Sequence, residues 1–183
     1  MNYENKNIVA IIQARWNSKR FPGKISHLIE NKSVLNHVVD RMVGTKYINQ
    51  VCCALPKSKD SIKIKNLIDN SSVKFFFGDE EDVLKRFYDA AIFMKADIIV
   101  RVTSDCPINF PIVNEKVIKL LIDNDLDYAC NNNPPTFPHG LDCEVFTFNA
   151  LKLCNEKAIE NYDREHVTSW LRDSKDIKKL NLF

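Results

Sequence analysis

Ile8-Val9-Ala10-Ile11-Ile12 runs without a break into Gln13-Ala14-Arg15-Trp16-Asn17-Ser18-Lys19-Arg20-Phe21-Pro22-Gly23-Lys24. Five consecutive apolar residues, four of them β-branched, read as a strand buried on both faces. A cationic loop follows at once, and Pro22-Gly23 shapes a turn within it. Strands of this kind belong to sheets with helices on both sides, where ligands bind beyond the strands' carboxyl ends.

Outward from this stretch the chain alternates short apolar runs with longer amphipathic ones. The spacing predicts strands at 51–55, 74–77 and 98–102, and helices at 34–42, 62–68, 83–94 and 111–122. Ser33 and Pro111 stand where an N-cap and a first helical residue are wanted. Because each strand is followed by a helix, the connections are crossovers. The expected fold is a three-layer α/β/α domain with a mostly parallel central sheet, and one domain spans 1–183. After the short run Tyr128-Ala129-Cys130, Asn131-Asn132-Asn133-Pro134-Pro135-Thr136 breaks the alternation and a strand-like 143–148 follows. This stretch is expected to be an inserted arm around 131–148. Helices are expected at 150–159 and 164–170, before a last apolar run at 180–183.

Composition excludes several function classes. Lys and Arg number 26 against 24 Asp and Glu, a net charge of +2 that is too balanced for a general nucleic-acid or membrane-surface protein. Any anion site must therefore be local. The polar start and the shortness of the 8–12 run point away from a signal peptide or a membrane span, so a cytoplasmic protein is expected. The six cysteines form no Cys-x-x-Cys pair and several lie in apolar runs, which predicts reduced, mostly buried thiols with neither disulfides nor zinc.

The chemistry-bearing residues gather after strands. Arg15, Lys19, Arg20 and Lys24 crowd one loop, and such a cluster suits a polyphosphate, whose oxygens take forked Arg contacts and point-charge Lys contacts. A basic loop is also an ordinary solvated face, but its place after the first strand favours phosphate. No Walker pattern occurs, so side chains more than backbone amides would hold the anion. Arg101-Val102-Thr103-Ser104-Asp105-Cys106-Pro107 sets a carboxylate just past another strand end, where it is either a turn former or a ligand of Mg²⁺. Gly78-Asp79-Glu80-Glu81-Asp82 opens the helix carrying Arg86. The acidic run is ordinary capping chemistry, or Gly78 lets a nucleobase or ribose approach while Arg86 supports the loop. His139, Gly140, Asp142 and Glu144, with Arg164, Glu165 and His166, supply the imidazole, guanidinium and carboxylate groups that a sugar acid would use.

Taken together, these segments resemble the spore coat polysaccharide cytidylyltransferase-like family, relatives of the synthetases that activate acidic sugars as CMP-sugars. The resemblance rests on Ile11 to Arg15 with Arg20 to Lys24, on Gly78 to Leu84 with Arg86-Phe87, on Arg101 to Pro107, and on the later segments 136–144 and 164–168. Three of the four glycines, Gly23, Gly78 and Gly140, fall inside these motifs. The resemblance implies a nucleotide-diphospho-sugar transferase-like fold and transfer of CMP from CTP to an acidic sugar for surface polysaccharide. It implies Arg15 and Lys24 on the triphosphate, Gln13 and Ala14 at the cytosine, and Asp105 on Mg²⁺. Arg20, Gly78, Asp82, Thr103 and Ser104 would border the nucleotide. His139, Gly140, Asp142, Glu144, Arg164, Glu165 and His166 would face the sugar, and a homodimer is expected.

Two departures stand out: Asn17 replaces a glycine usual in the basic loop, and the family continues past Phe183 with a second acidic metal ligand. The chain is therefore expected to be a fragment or short form, or to carry an incomplete metal site. Two other readings stay open on the sequence: a nucleotide-binding domain of the same fold without turnover, and a nucleotide-sugar glycosyltransferase. An Asp-x-Asp metal motif at the end of the middle strand, which would favour the latter, is absent.

Overall fold

The computed structural model describes residues 5–17 and 21–183. In chain order its strands are β1 (Ile8–Gln13), β2 (Leu28–Ile29), β3 (Lys32–Ser33), β4 (Gln50–Pro56), β5 (Lys74–Gly78), β6 (Ile98–Thr103), β7 (Tyr128–Cys130), β8 (Glu144–Thr147) and β9 (Lys179–Asn181). The helices are α1 (Val34–Val43), α2 (Ser61–Leu67), α3 (Val83–Phe93), α4 (Pro111–Asp123), α5 (Phe148–Lys157), α6 (Asn161–His166) and α7 (Ser169–Asp173). Strands β2 and β3 form a separate small hairpin, and the other seven form one sheet in the order β5-β4-β1-β6-β8-β7-β9.

The sheet is parallel except at β8, which runs antiparallel to both β6 and β7. Strand β1 lies between β4 and β6, with Ile11 paired to Cys52 on one side and to Arg101 on the other. Alternate residues of each strand feed two cores. Ala10, Ile12, Cys53 and Val100 pack under α1, α2 and α4, while Val9, Ile11, Cys52 and Ile99 pack under α3, α5 and α7. Helices on both faces explain why β1 and β4 are nearly continuous apolar runs.

The expected caps are present: Ser33 accepts a bond from the Asn36 amide, and Pro111 opens α4. Two expectations need correction. The stretch 131–148 is not an arm throughout, because its last part is β8, buried between β6 and β7; only 131–143 leaves the sheet, as the loop of a β7–β8 hairpin. The helix expected at 164–170 is two helices broken at Val167, whose φ of 68° is a left-handed value rare for a β-branched residue. Among the described residues no helix is long and apolar enough to cross a membrane.

Candidate active site

The carboxyl ends of β1 and β6, the start of α3 and the end of α6 enclose a cleft of about 510 Å³. Its wall on the β1 side is Gln13, Ala14, Arg15 and Lys24; on the β6 side it is Arg101, Thr103, Ser104 and Asp105. Glu80, Val83 and Arg86 close it from α3, and Glu165 and His166 from α6.

Lys24 reaches the cleft because Gly23, at φ 68°, turns the chain left-handed. The Gly23 amide bonds back to the Trp16 carbonyl at 3.1 Å, and a short 3-10 turn (Lys24–Ser26) follows. The Lys24 ammonium then donates to the Asp105 carboxylate, both side chains being about one-third exposed. Burial pushes the Asp105 carboxyl up, but the bond and charge of Lys24 and the Thr103 hydroxyl outweigh it, so the group is held below the usual range and ionised.

The loop bearing Asp105 is fixed from three sides. Arg41 of α1 donates through Nε to the Pro107 carbonyl at 2.6 Å, and Asn114 of α4 donates to the Asn109 side-chain oxygen at 2.7 Å. Asn109 donates in turn to the Asp142 carbonyl at 3.1 Å. Across the cleft, the buried Arg86 guanidinium donates to the carbonyls of Asp79 and Glu80, while the Asp79 carboxylate accepts the amides of Glu81 and Asp82 at 2.9 Å each. Arg15 lies 3.9 Å from the Glu165 carboxylate, so α6 and the first loop face each other.

His166 ends α6 with its ring 4.3 Å from that of Tyr162. The next residue, Val167, makes a tight turn in which the Thr168 amide donates to the His166 carbonyl at 2.7 Å. With φ 68° and ψ −52° this is the rare form of the γ-turn. The buried Val167 side chain holds it in place.

The structure brings Gln13, Ala14, Arg15, Lys24, Thr103, Ser104, Asp105, Glu165 and His166 to one cleft. Arg20 lies outside the described residues. Other expected site residues act elsewhere. Gly78 is not open to a base, since a Cβ there would stand 2.7 Å from Arg86 Cγ and 2.9 Å from Phe76; its bareness admits the Arg86 side chain. Asp82 caps α3 by accepting the Lys85 amide, and it takes a forked pair of bonds from Arg164, at 3.0 Å from Nε and 2.6 Å from Nη2. Arg164 also donates to the Asn155 and Ala158 carbonyls, so its donors tie α3, α5 and α6 together instead of facing a sugar.

Glu144 is likewise not a sugar contact. It is buried, bonded to Arg101 and to Arg172 at 2.7 Å, and accepts the Tyr128 hydroxyl. His139, Gly140 and Asp142 do not line the cleft: His139 is 97% exposed, and the Gly140 amide bonds the Asp142 carboxylate at 3.0 Å.

Arg101 carries no role in the sequence pattern and Arg86 only a supporting one. A signal for Arg101 was present, because an arginine inside Ile98-Ile99-Val100-Arg101-Val102 sits on a buried strand and must meet a carboxylate.

Comparison with known proteins bears on this architecture. The chain is 35% identical over 173 residues to an uncharacterized protein of Methanocaldococcus jannaschii, covering 94% of this chain and 70% of that one. It is 31% identical over 173 residues to the spore coat polysaccharide biosynthesis protein SpsF of Bacillus subtilis, covering 91% of this chain and 70% of SpsF. A 3-deoxy-manno-octulosonate cytidylyltransferase of Pelobacter propionicus is 31% identical over a shorter stretch, 64% of this chain and 46% of that enzyme. Among solved structures, a cytidylyltransferase from Leptospira borgpetersenii superposes with a TM-score of 0.92 at 26% identity, over 97% of this chain and 76% of that one. A CMP:2-keto-3-deoxy-manno-octonic acid synthetase shares the fold, with a TM-score of 0.74 at 16% identity over 96% of this chain and 90% of that one. Residues 9–182 match the cytidylyltransferase family, and the chain belongs to that family of nucleotidyltransferases.

Proposed function

We propose that the chain transfers CMP from CTP to an acidic sugar, with release of pyrophosphate, in the making of a surface polysaccharide. The observation that carries this reading is the meeting of the cationic β1 loop with the Asp105 loop, Lys24 on Asp105, at the mouth of one cleft. Relatives named for 3-deoxy-manno-octulosonate and for spore coat polysaccharide support the acceptor class.

Gln13 and Ala14 stand at the base end. The Gln13 side-chain oxygen is buried there without a partner, and a nucleobase amino group would satisfy it. Arg15 and Lys24 would take the triphosphate. An acceptor hydroxyl attacks the α-phosphorus in line; the new P–O bond forms as the bond to pyrophosphate breaks, and the hydroxyl proton passes to a base. His166 is the imidazole on the cleft wall. Lys24 and Arg15 offset the charge that grows on the leaving pyrophosphate, so positioning and electrostatics supply most of the rate.

The donor set also fits Mg²⁺. Among the described residues no three His, Cys, Asp or Glu side chains cluster, but Asp105 is ionised, hard and open to the cleft. A cation held by one carboxylate and completed by phosphate and water oxygens is the usual habit of this ion. When bound it would polarise the phosphate oxygens, and Lys24 would then turn from Asp105 to the phosphates.

Calorimetric titration with CTP, ATP, GTP and UTP, with and without Mg²⁺, tests the reading, followed by a pyrophosphate-release screen of sugar acids. Magnesium-enhanced binding that prefers CTP is the expected result. Equal affinity for all four nucleotides, or binding to none, would sink it.

A further inference from the structure

Arg101 is a cation in the cleft that neither the nucleotide loop nor the Asp105 loop uses. It lies on β6 opposite Ile11, two residues before Thr103 and so about 6.6 Å deeper along the strand than the cleft's rim. One Nη donates to Glu144 on β8, the neighbour of β6 on the side away from β1. Its Nε is buried with no partner. Among the described residues the other Nη has none either, although the side chain is only 13% exposed.

Glu144 does not cancel this charge, because Arg172 binds the same carboxylate from the opposite side with Nε at 2.9 Å and Nη2 at 2.7 Å. Two guanidinium groups share one carboxylate, and one positive charge is left over. Of the two, Arg101 is the one that lines the cleft. Tyr128 donates its hydroxyl to Glu144 as well, so the carboxylate has every reason to stay where it is. The arrangement is a preset fork with free donors, held from behind and facing a cavity.

A fork of this kind matches a carboxylate in plane and in charge. The elements proposed for the nucleotide, the loop after β1 and the start of α3 after β5, lie on the far side of β6, whereas Arg101 is drawn toward β8. We infer that Arg101 binds the carboxylate of the acceptor and selects an acidic sugar over a neutral one. The inference rests on the cytidylyl-transfer reading and adds to it the group that chooses the second substrate.

The test compares the wild-type chain with Arg101→Gln and Arg101→Lys in two measurements, calorimetric CTP affinity and the KM of the acceptor in pyrophosphate release. The acceptor panel is 3-deoxy-manno-octulosonate, N-acetylneuraminate and uncharged sugars of similar size. Arg101→Gln should raise the KM of whichever sugar acid is used at least tenfold and leave CTP affinity within twofold. Arg101→Lys keeps a charge on Glu144, guards against a merely unfolded variant, and should recover only part of the loss. An unchanged KM in Arg101→Gln, or a loss of CTP affinity equal to the loss for the sugar acid, overturns the role of Arg101 and leaves cytidylyl transfer standing. Turnover with uncharged sugars alone overturns the acid selectivity, and CTP binding without turnover on any acceptor overturns the transfer reading together with it.

Discussion

In the proposed reaction Lys24 and Asp105 carry the decisive charges, and each is held by something other than its partner. Gly23 and the 3-10 turn place Lys24, while Arg41, Asn109 and Asn114 fix the Asp105 loop. Removing either charge should therefore leave the fold nearly intact. Lys24→Ala and Asp105→Asn are each expected to lower pyrophosphate release by about 10²-fold or more, the usual scale for one lost charge contact to a transition state. Thermal melting of both variants beside the wild type checks that activity, and not folding, was lost. Gly78 makes a second case at this scale. A methyl group there meets Arg86 Cγ at 2.7 Å, so Gly78→Ala must displace the Arg86 side chain from the Asp79 and Glu80 carbonyls. The variant should melt lower by an amount consistent with about 1–3 kcal/mol of lost packing and bonding, and should bind CTP more weakly. An unchanged melting point would show that the Arg86 side chain has room to yield.

At the scale of elements, α6 is the piece whose placement matters most and which local sequence describes least. It is six residues long, with none of its side chains buried, so its own hydrophobic face does not hold it. Arg164 does, by a forked ion pair to Asp82 at the start of α3 and by bonds to the end of α5. The sequence shows strong alternation of runs for β1, α1, β4, α2, β5, α3, β6 and α4, and those elements fall where periodicity puts them because each has a buried face, whereas the exposed β2 of the small hairpin left no such signal. The break between α6 and α7 has no such signal: a left-handed Val167 is set by packing of its side chain, not by its identity. The place of β8 in the sheet is hidden for a related reason, since four residues of strand pattern do not say which neighbours they will pair with. In the cleft, the cations and Asp105 were legible from their position after strands, whereas Glu144 and Arg164 looked like ligands because charge alone does not reveal a partner brought from far along the chain. The Arg164–Asp82 pair is partly buried and forked, so it should show real coupling. A double-mutant cycle of Arg164→Met and Asp82→Asn by urea denaturation is expected to give a coupling energy of about 0.5–3 kcal/mol. The single variant Arg164→Met should also raise the acceptor KM as Glu165 and His166 lose their footing. Additive single effects would mean that α6 is held by other contacts.

For the whole molecule, the Arg101–Glu144–Arg172 cluster makes stability depend on pH in a window far from neutrality. Burial would push the Glu144 carboxyl up, but the attraction of Arg101 and Arg172 and the Tyr128 hydroxyl outweigh it and hold the group at about 2, against an ordinary value of 4.5. A carboxyl whose folded value is depressed stabilises the fold fully above its unfolded value and loses that contribution as pH falls toward the folded one. The window therefore runs from about pH 4.5 down to about pH 2, and a shift of this size corresponds to about 3 kcal/mol. Glu144→Gln removes the charge at every pH and leaves two guanidinium groups beside a neutral amide. At pH 7 it should cost about 3–5 kcal/mol by urea denaturation, the scale for breaking a buried pair from one side. Between pH 4.5 and pH 2 the wild type should lose stability faster than the variant, so that the two curves converge as acid protonates the carboxylate that the variant lacks. A gap that stays constant across that range would mean that Glu144 stabilises the sheet by shape and hydrogen bonding and not by its charge.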